Sequence, residues 1–149
     1  MDILKTFESF LNNKQDTNLV KEFDLAHNLI DSSEYSLDLT LQNHYDNILT
    51  YKELKDFQTK CGFFLSAFIS KCGRNETLKL KEGLKIDFLG SFLEKVELKI
   101  LGDAGDFIGA FLRGGRILVE GSVKDNCGYF MKGGKIVIKG NASNHLGHY

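Results

Sequence analysis

The chain has 149 residues, 42% hydrophobic and 26% charged, with a net charge of −1. That length suits one core or two small cooperating units, and the balanced charge argues against a nucleic-acid partner. The longest apolar run, Cys61 to Ile69, is interrupted by Ser66 and falls far short of the ~20 residues that cross a bilayer. No secretory pattern opens the chain, and three cysteines, an odd number, do not suit a disulfide framework, so a cytoplasmic protein without a membrane partner is expected.

In chain order, Ile3, Leu4, Phe7, Phe10 and Leu11 recur at helical spacing, as do Leu19, Val20, Phe23, Ala26 and Ile30, which predicts two short amphipathic helices. Tyr35, Leu37, Leu39 and Leu41 alternate with polar residues and predict a strand with one buried face. Thr50 and Glu53 have the spacing of a capping box. Beyond them Leu54, Phe57, Cys61, Phe64, Phe68 and Cys72 form one stripe ending at Gly73, predicting a long helix over residues 51–72 with Gly62 as its weak point. Residues 1–76 thus read as a mostly helical region with one short strand.

Residues 77–149 change texture. Gly83, Gly102, Gly121 and Gly140 lie 19 apart, as do Gly90, Gly109, Gly128 and Gly147, and Gly114-Gly115 returns as Gly133-Gly134. Apolar positions keep the same register: Leu98, Ile117 and Ile136; Ile100, Val119 and Ile138; Ala104, Val123 and Ala142; Ile108, Cys127 and Leu146. A period near 20 with period-two strands marks a solenoid whose coils stack like residue on like, about 4.8 Å apart. Glycine turns the corners, where the backbone needs positive φ or close approach to the next coil. The expected fold is α+β, a helical N-terminal cap followed by a right-handed, single-stranded parallel β-helix of 19-residue coils.

The repeat resembles the glycine-rich β-helix (GXGXG) domain found at the C-terminus of the glutamate synthase large subunit and in one of the subunits of formylmethanofuran dehydrogenase. The unit Gly-x-x-Gly-x-x-x-Gly stands in full once, at Gly102, Gly105 and Gly109; the other coils carry Ile86, Lys124 and Ser143 at the middle position. Phe130-Met131-Lys132-Gly133-Gly134-Lys135-Ile136 and its counterpart from Phe111 to Ile117 fit the same family. The resemblance covers residues 80–149 and implies a scaffold beside catalytic parts that this sequence lacks. It carries over no catalytic residue, so a noncatalytic scaffold or interaction module is expected, or an accessory subunit whose partner is catalytic, with no cofactor.

Single groups support no chemistry of their own. Cys61 and Cys72 share a helical face but are roughly 16 Å apart along it. Cys127 falls in an interior column, and His145 with His148 lacks the further ligands a metal needs. Asp87, Asp106, Asp125 and Asn144 stack in one corner, where short acceptors are expected to bond their own turn's backbone; calcium bridges such ladders in solenoids of shorter repeat. Arg113 over Lys132 and Arg116 over Lys135, beside the paired glycines, form a candidate anion-binding corner, with a solvated basic edge as the plainer reading. Phe92, Phe111, Phe130 and Tyr149 read as stacked core.

Charge is uneven: residues 1–49 sum to −6 and residues 110–149 to +4. The acidic helical segment is expected to cap the first coil, with Phe64 and Phe68 packed on residues 80–92. The last coil would stay open through a patch including Leu146 and Tyr149, for a second copy of the chain or a catalytic subunit.

Overall fold

The structure, a computed structural model, describes residues 3–13, 18–31 and 40–147. Helices α1 (Ile3–Asn12), α2 (Leu19–Asp31), α3 (Leu41–Ile48) and α4 (Phe57–Cys72) precede strands β1 (Glu76–Lys79), β2 (Glu97–Leu101), β3 (Arg116–Val119) and β4 (Lys135–Ile138). The strands form one parallel sheet in the order β1-β2-β3-β4, one strand from each coil. This is the α+β solenoid that the glycine ruler predicts. Its core is continuous with that of the helices.

The first two helices lie where their apolar spacing puts them. Leu41, expected to close a strand, instead opens α3: Thr40 Oγ1 accepts from the Asn43 amide at 3.2 Å while Asn43 Oδ1 accepts from the Thr40 amide at 3.2 Å. This reciprocal cap offsets the alternation of the preceding residues; Tyr35, Leu37 and Leu39 lie outside the described residues. The capping box expected at Thr50 and Glu53 does not start α4. Thr50 sits in a single 3-10 turn over Leu49–Tyr51, and Asp56 at φ 62° separates that turn from a helix beginning at Phe57. A left-handed residue cannot be carried inside a right-handed helix. Gly73, at φ 62°, ends α4 as expected by donating to the Ile69 carbonyl.

Within the solenoid, β2, β3 and β4 pair in a 19-residue register, so that Ile100 faces Val119 and Val119 faces Ile138. The first coil is longer. Leu78 pairs with Ile100, a step of 22, because a turn closed by the Leu84 amide on the Lys81 carbonyl adds three residues. Gly83 lies in that added turn, and it is Leu80 whose amide bonds the Leu101 carbonyl beside Gly102. The ruler therefore aligns Gly83 with Gly102 in number but not in space.

Side chains as well as glycine occupy the left-handed region at corners of the coils. Phe88, Phe107, Asn126 and His145 have φ of 57° to 59°, and Phe92, Phe111 and Phe130 follow four residues later in their coils at 61°, 58° and 51°. Aromatic ladders run through both columns. Phe63 of α4 stacks on Phe88 at 4.6 Å and Phe88 on Phe107 at 4.7 Å, while Phe23 of α2 lies 4.6 Å from Phe92, which stacks on Phe111 at 4.9 Å. Helices thus supply the first rung of each ladder.

Helix α4 is seated on the first coil through Gly62 and Ser66. A Cβ on Gly62 would overlap the Asp87 carbonyl. One turn on, the buried Ser66 hydroxyl donates to the Gly62 carbonyl at 2.6 Å and accepts from the Gly90 amide at 2.9 Å and the Ser91 amide at 3.2 Å. On the opposite side of α4, Lys60 meets Glu22 of α2 at 2.9 Å, both almost fully buried, and its ammonium lies 4.3 Å from the Phe10 ring centroid. Gly62 is thus the contact point of the helix, not its weak point. Gly62→Ala, worth about 1 kcal/mol of added stability in an isolated helix, is expected to destabilise the protein by more than about 2 kcal/mol. Gly83→Ala, with nothing within 4 Å of the added carbon, bears backbone strain alone and should cost about 1 kcal/mol. Urea denaturation of the two variants checks the difference.

Candidate functional site

A stack of parallel strands leaves backbone groups unpaired at both ends, and the two ends here are treated differently. At the first, the Gln42 carboxamide of α3 acts as a surrogate strand: Nε2 donates to the Lys79 carbonyl at 3.1 Å and Oε1 accepts from the Lys79 amide at 2.7 Å. The Leu41 amide donates to Glu76 Oε2 at 3.4 Å, and the Tyr45 hydroxyl accepts from the Lys81 amide at 3.0 Å. Burial outweighs the acidifying effect of that bond and keeps the Tyr45 hydroxyl protonated, its pKa pushed up to about 12.

The other end is open among the described residues. Leu98 and Ile117 are buried but Ile136 only half so; Ile100 and Val119 are buried, Ile138 half so. Ile108 and Cys127 are buried, whereas Leu146 is 54% exposed; Phe92 is buried, whereas Phe130 is 41% exposed. Cys127, Met131, Ile136, Ile138 and Leu146 line a shallow apolar depression across this end. Leu146 lies where the sequence places it. Tyr149 and His148 lie outside the described residues.

Helix α4 meets the first coil through Gly62, Phe63 and Ser66. The rings of Phe64 and Phe68, the residues expected at this contact, lie against Phe7 and Phe10 and against His44 respectively. In α4 it is therefore the face adjacent to the large apolar stripe that meets the first coil. Burial holds the His44 pKa below its usual value.

Polar columns lock coil to coil. Asp87 Oδ1 accepts from the Asp106 amide at 2.7 Å, Asp106 Oδ1 from Asp125 at 2.9 Å, and Asp125 Oδ1 from Asn144 at 3.0 Å. A second column, missed in the sequence although it keeps the same period, runs from Asp103 to the Ser122 amide and from Ser122 Oγ to the Asn141 amide. The carboxylates bond the backbone of the next coil, not of their own turn. Among the described residues no group of three or more His, Cys, Asp or Glu is placed to hold a metal.

At the basic corner Arg113 meets Glu94 at 3.2 Å and Arg116 meets Glu97 at 3.3 Å. The Gly114 and Gly133 amides bond the Leu93 and Leu112 carbonyls, so neither is directed at an anion. Lys132 and Lys135 are exposed on the last coil. Gly105, Gly121 and Gly140 serve close approach: their absent Cβ atoms would meet the backbone of the preceding coil. Gly90, Gly102, Gly109, Gly115, Gly128, Gly134 and Gly147 take positive φ. Burial raises the pKa of Cys61 and pushes that of Cys127 up to about 11, leaving both as neutral thiols ill suited to nucleophilic attack.

Comparison with protein-family models, with curated proteins and with solved structures gives no match.

The Asp87 carboxyl has its pKa raised, by burial first and against the bond from Asp106. A raised carboxyl pKa makes the folded state bind its proton more tightly, so this group's contribution to stability is fullest below about pH 4 and declines as pH rises through the folded pKa. Asp87→Asn retains an acceptor without the charge and should match or exceed the native protein in stability at neutral pH, losing that advantage in acid. Asp87→Ala orphans the Asp106 amide and should cost about 1–3 kcal/mol throughout. Thermal denaturation across pH separates the two.

Proposed function

We propose that this protein is a noncatalytic interaction module, whose helices close one end of the solenoid while the end at β4 binds a partner. The observation that carries this reading is the asymmetry of the ends. Every polar device at β1, the Gln42 clasp above all, has no counterpart at β4 among the described residues, where the columns emerge half-buried. An apolar surface rimmed by lysines has the composition of a docking site, an exposed core of limited size within a polar border. The resemblance to the glycine-rich β-helix domains extends this reading to an accessory subunit that serves a catalytic one in the cytoplasm.

The test is native purification with the wild-type protein and with Ile138→Lys, which places a charge in the depression at a half-buried position. A companion, whether another subunit or a second copy, should accompany the wild type and be lost with the variant. The variant's melting temperature should stay within about 2–4 °C of the wild type, a loss of about 1 kcal/mol or less. Equal recovery with both forms, or companionship with neither, overturns the proposal.

A further inference from the structure

We infer that the turn added to the first coil forms, with α3, a binding site for a phosphoryl group, at the closed end of the solenoid and independent of what β4 carries. Strands β1 and β2 pair at a step of 22, where the later coils keep 19. Insertions into a repeat fall on one face of a solenoid, and that face is often the one that binds. The added turn is closed by the Leu84 amide on the Lys81 carbonyl at 3.1 Å, and Lys81 is bonded in turn to Tyr45 of α3. Here lies a depression of about 550 Å³, lined by Gln42, Tyr45, Leu49, Lys79 and Lys81 among others.

Two features give this depression its chemistry. Tyr45 is 1% exposed, and its hydroxyl accepts from the Lys81 amide at 3.0 Å. That bond uses the oxygen and leaves the O–H proton, which burial keeps in place and which has no acceptor among the described residues. An acceptor entering the depression completes it. The second feature is a contact of like charges. The Lys52 ammonium stands beside that of Lys81 and is the largest cause of its lowered pKa. Two ammonium groups held together repel, and a dianion between them turns the repulsion into charge-assisted hydrogen bonds.

The neighbouring acids do not take that place. Asp46 accepts from Gln42 Nε2 at 2.9 Å, and Asp103 meets Lys85 at 3.2 Å in the adjoining hollow. Lys52, Lys79 and Lys81 remain, with Glu82 on the rim and Glu53 acting on Lys81 less than Lys52 does. A phosphoryl group suits these donors. Its several oxygens accept from the hydroxyl and from both ammonium groups at once, and it carries close to two negative charges where a carboxylate carries one. At the Arg113 and Arg116 corner, by contrast, Glu94 and Glu97 already occupy the guanidinium groups.

The experiment titrates the isotope-labelled full chain with inorganic phosphate at constant ionic strength and follows its amide resonances. Those of Lys81 and Glu82 should shift along a saturating curve, with a dissociation constant on the order of 1 mM. Acetate should bind at least about tenfold more weakly. Lys52→Gln with Lys81→Gln should lose at least about tenfold in affinity for phosphate, while its melting temperature is unchanged or raised because the like-charge contact is gone. Tyr45→Phe keeps the buried ring and should weaken binding about threefold to tenfold. Lys132→Gln with Lys135→Gln, on the last coil, should bind as the wild type does. A curve that does not saturate, acetate as tight as phosphate, or full affinity in the Lys52 and Lys81 variant or in Tyr45→Phe overturns the inference. So does a loss confined to the Lys132 and Lys135 variant, which would put the anion at the other end.

Discussion

Everything in this fold follows from the need to terminate a stack of parallel strands. Strand pairing satisfies the amides and carbonyls that face a neighbouring coil, so the strand edges without a neighbour are those at the two ends of the stack. At β1 a glutamine side chain, with one donor and one acceptor on a planar amide, reproduces the hydrogen-bonding face of a missing residue. The helices are consequently part of the sheet's own satisfaction, and the continuity of their core with that of the coils is the packing counterpart of that bonding.

Docking the helices also stabilises backbone conformations that would otherwise be costly. A phenylalanine in the left-handed region costs about 1–3 kcal/mol, and its burial returns about 1.5–3 kcal/mol, with stacking adding about 0.5–1.5 kcal/mol for each pair. Phe88, 7% exposed and stacked on both Phe63 and Phe107, is clearly on the favourable side. Phe130, 41% exposed, stacks on Phe111 and meets the edge of Tyr129 but gains less from burial, and is closer to balance. The corner conformation is secured nearest the helices and becomes less so toward β4.

The coils are legible in the sequence because repetition multiplies a weak signal: one glycine means little, but columns agreeing in phase fix period, strand placement and interior face. The same ruler misleads at Gly83, since a turn of three added residues leaves the numbering regular while displacing the residue. Contacts between unlike elements leave no such trace. Gly62 reads as a poor helix former because propensity describes a helix in solvent, whereas its role is set by the Asp87 carbonyl pressed against it. Gln42 has no sequence context that marks it as a strand surrogate, and Leu41 continues an alternating pattern that Thr40 and Asn43 interrupt by capping. At the candidate surface, Leu146 could be identified because it occupies an interior column on the last coil. The pairing of Arg113 with Glu94 and of Arg116 with Glu97 is also legible at the 19-residue offset, where each acid stands one coil before its base.

Among the described residues, the bonds from backbone amides to side chains between coils run in one direction. Asn75 accepts from Glu97, Asp87 from Asp106, Asp103 from Ser122, Asp106 from Asp125, Ser122 from Asn141 and Asp125 from Asn144, so that in each the acceptor precedes the amide it binds. A chain emerging from the ribosome N-terminus first thus completes its helices, then the coil they template, and each later coil meets acceptors already fixed in place. The side-chain acceptors of each coil are thus made before the amides they bind, whereas backbone amides such as those of Phe88 and Ala104 find their carbonyls only when the following coil arrives.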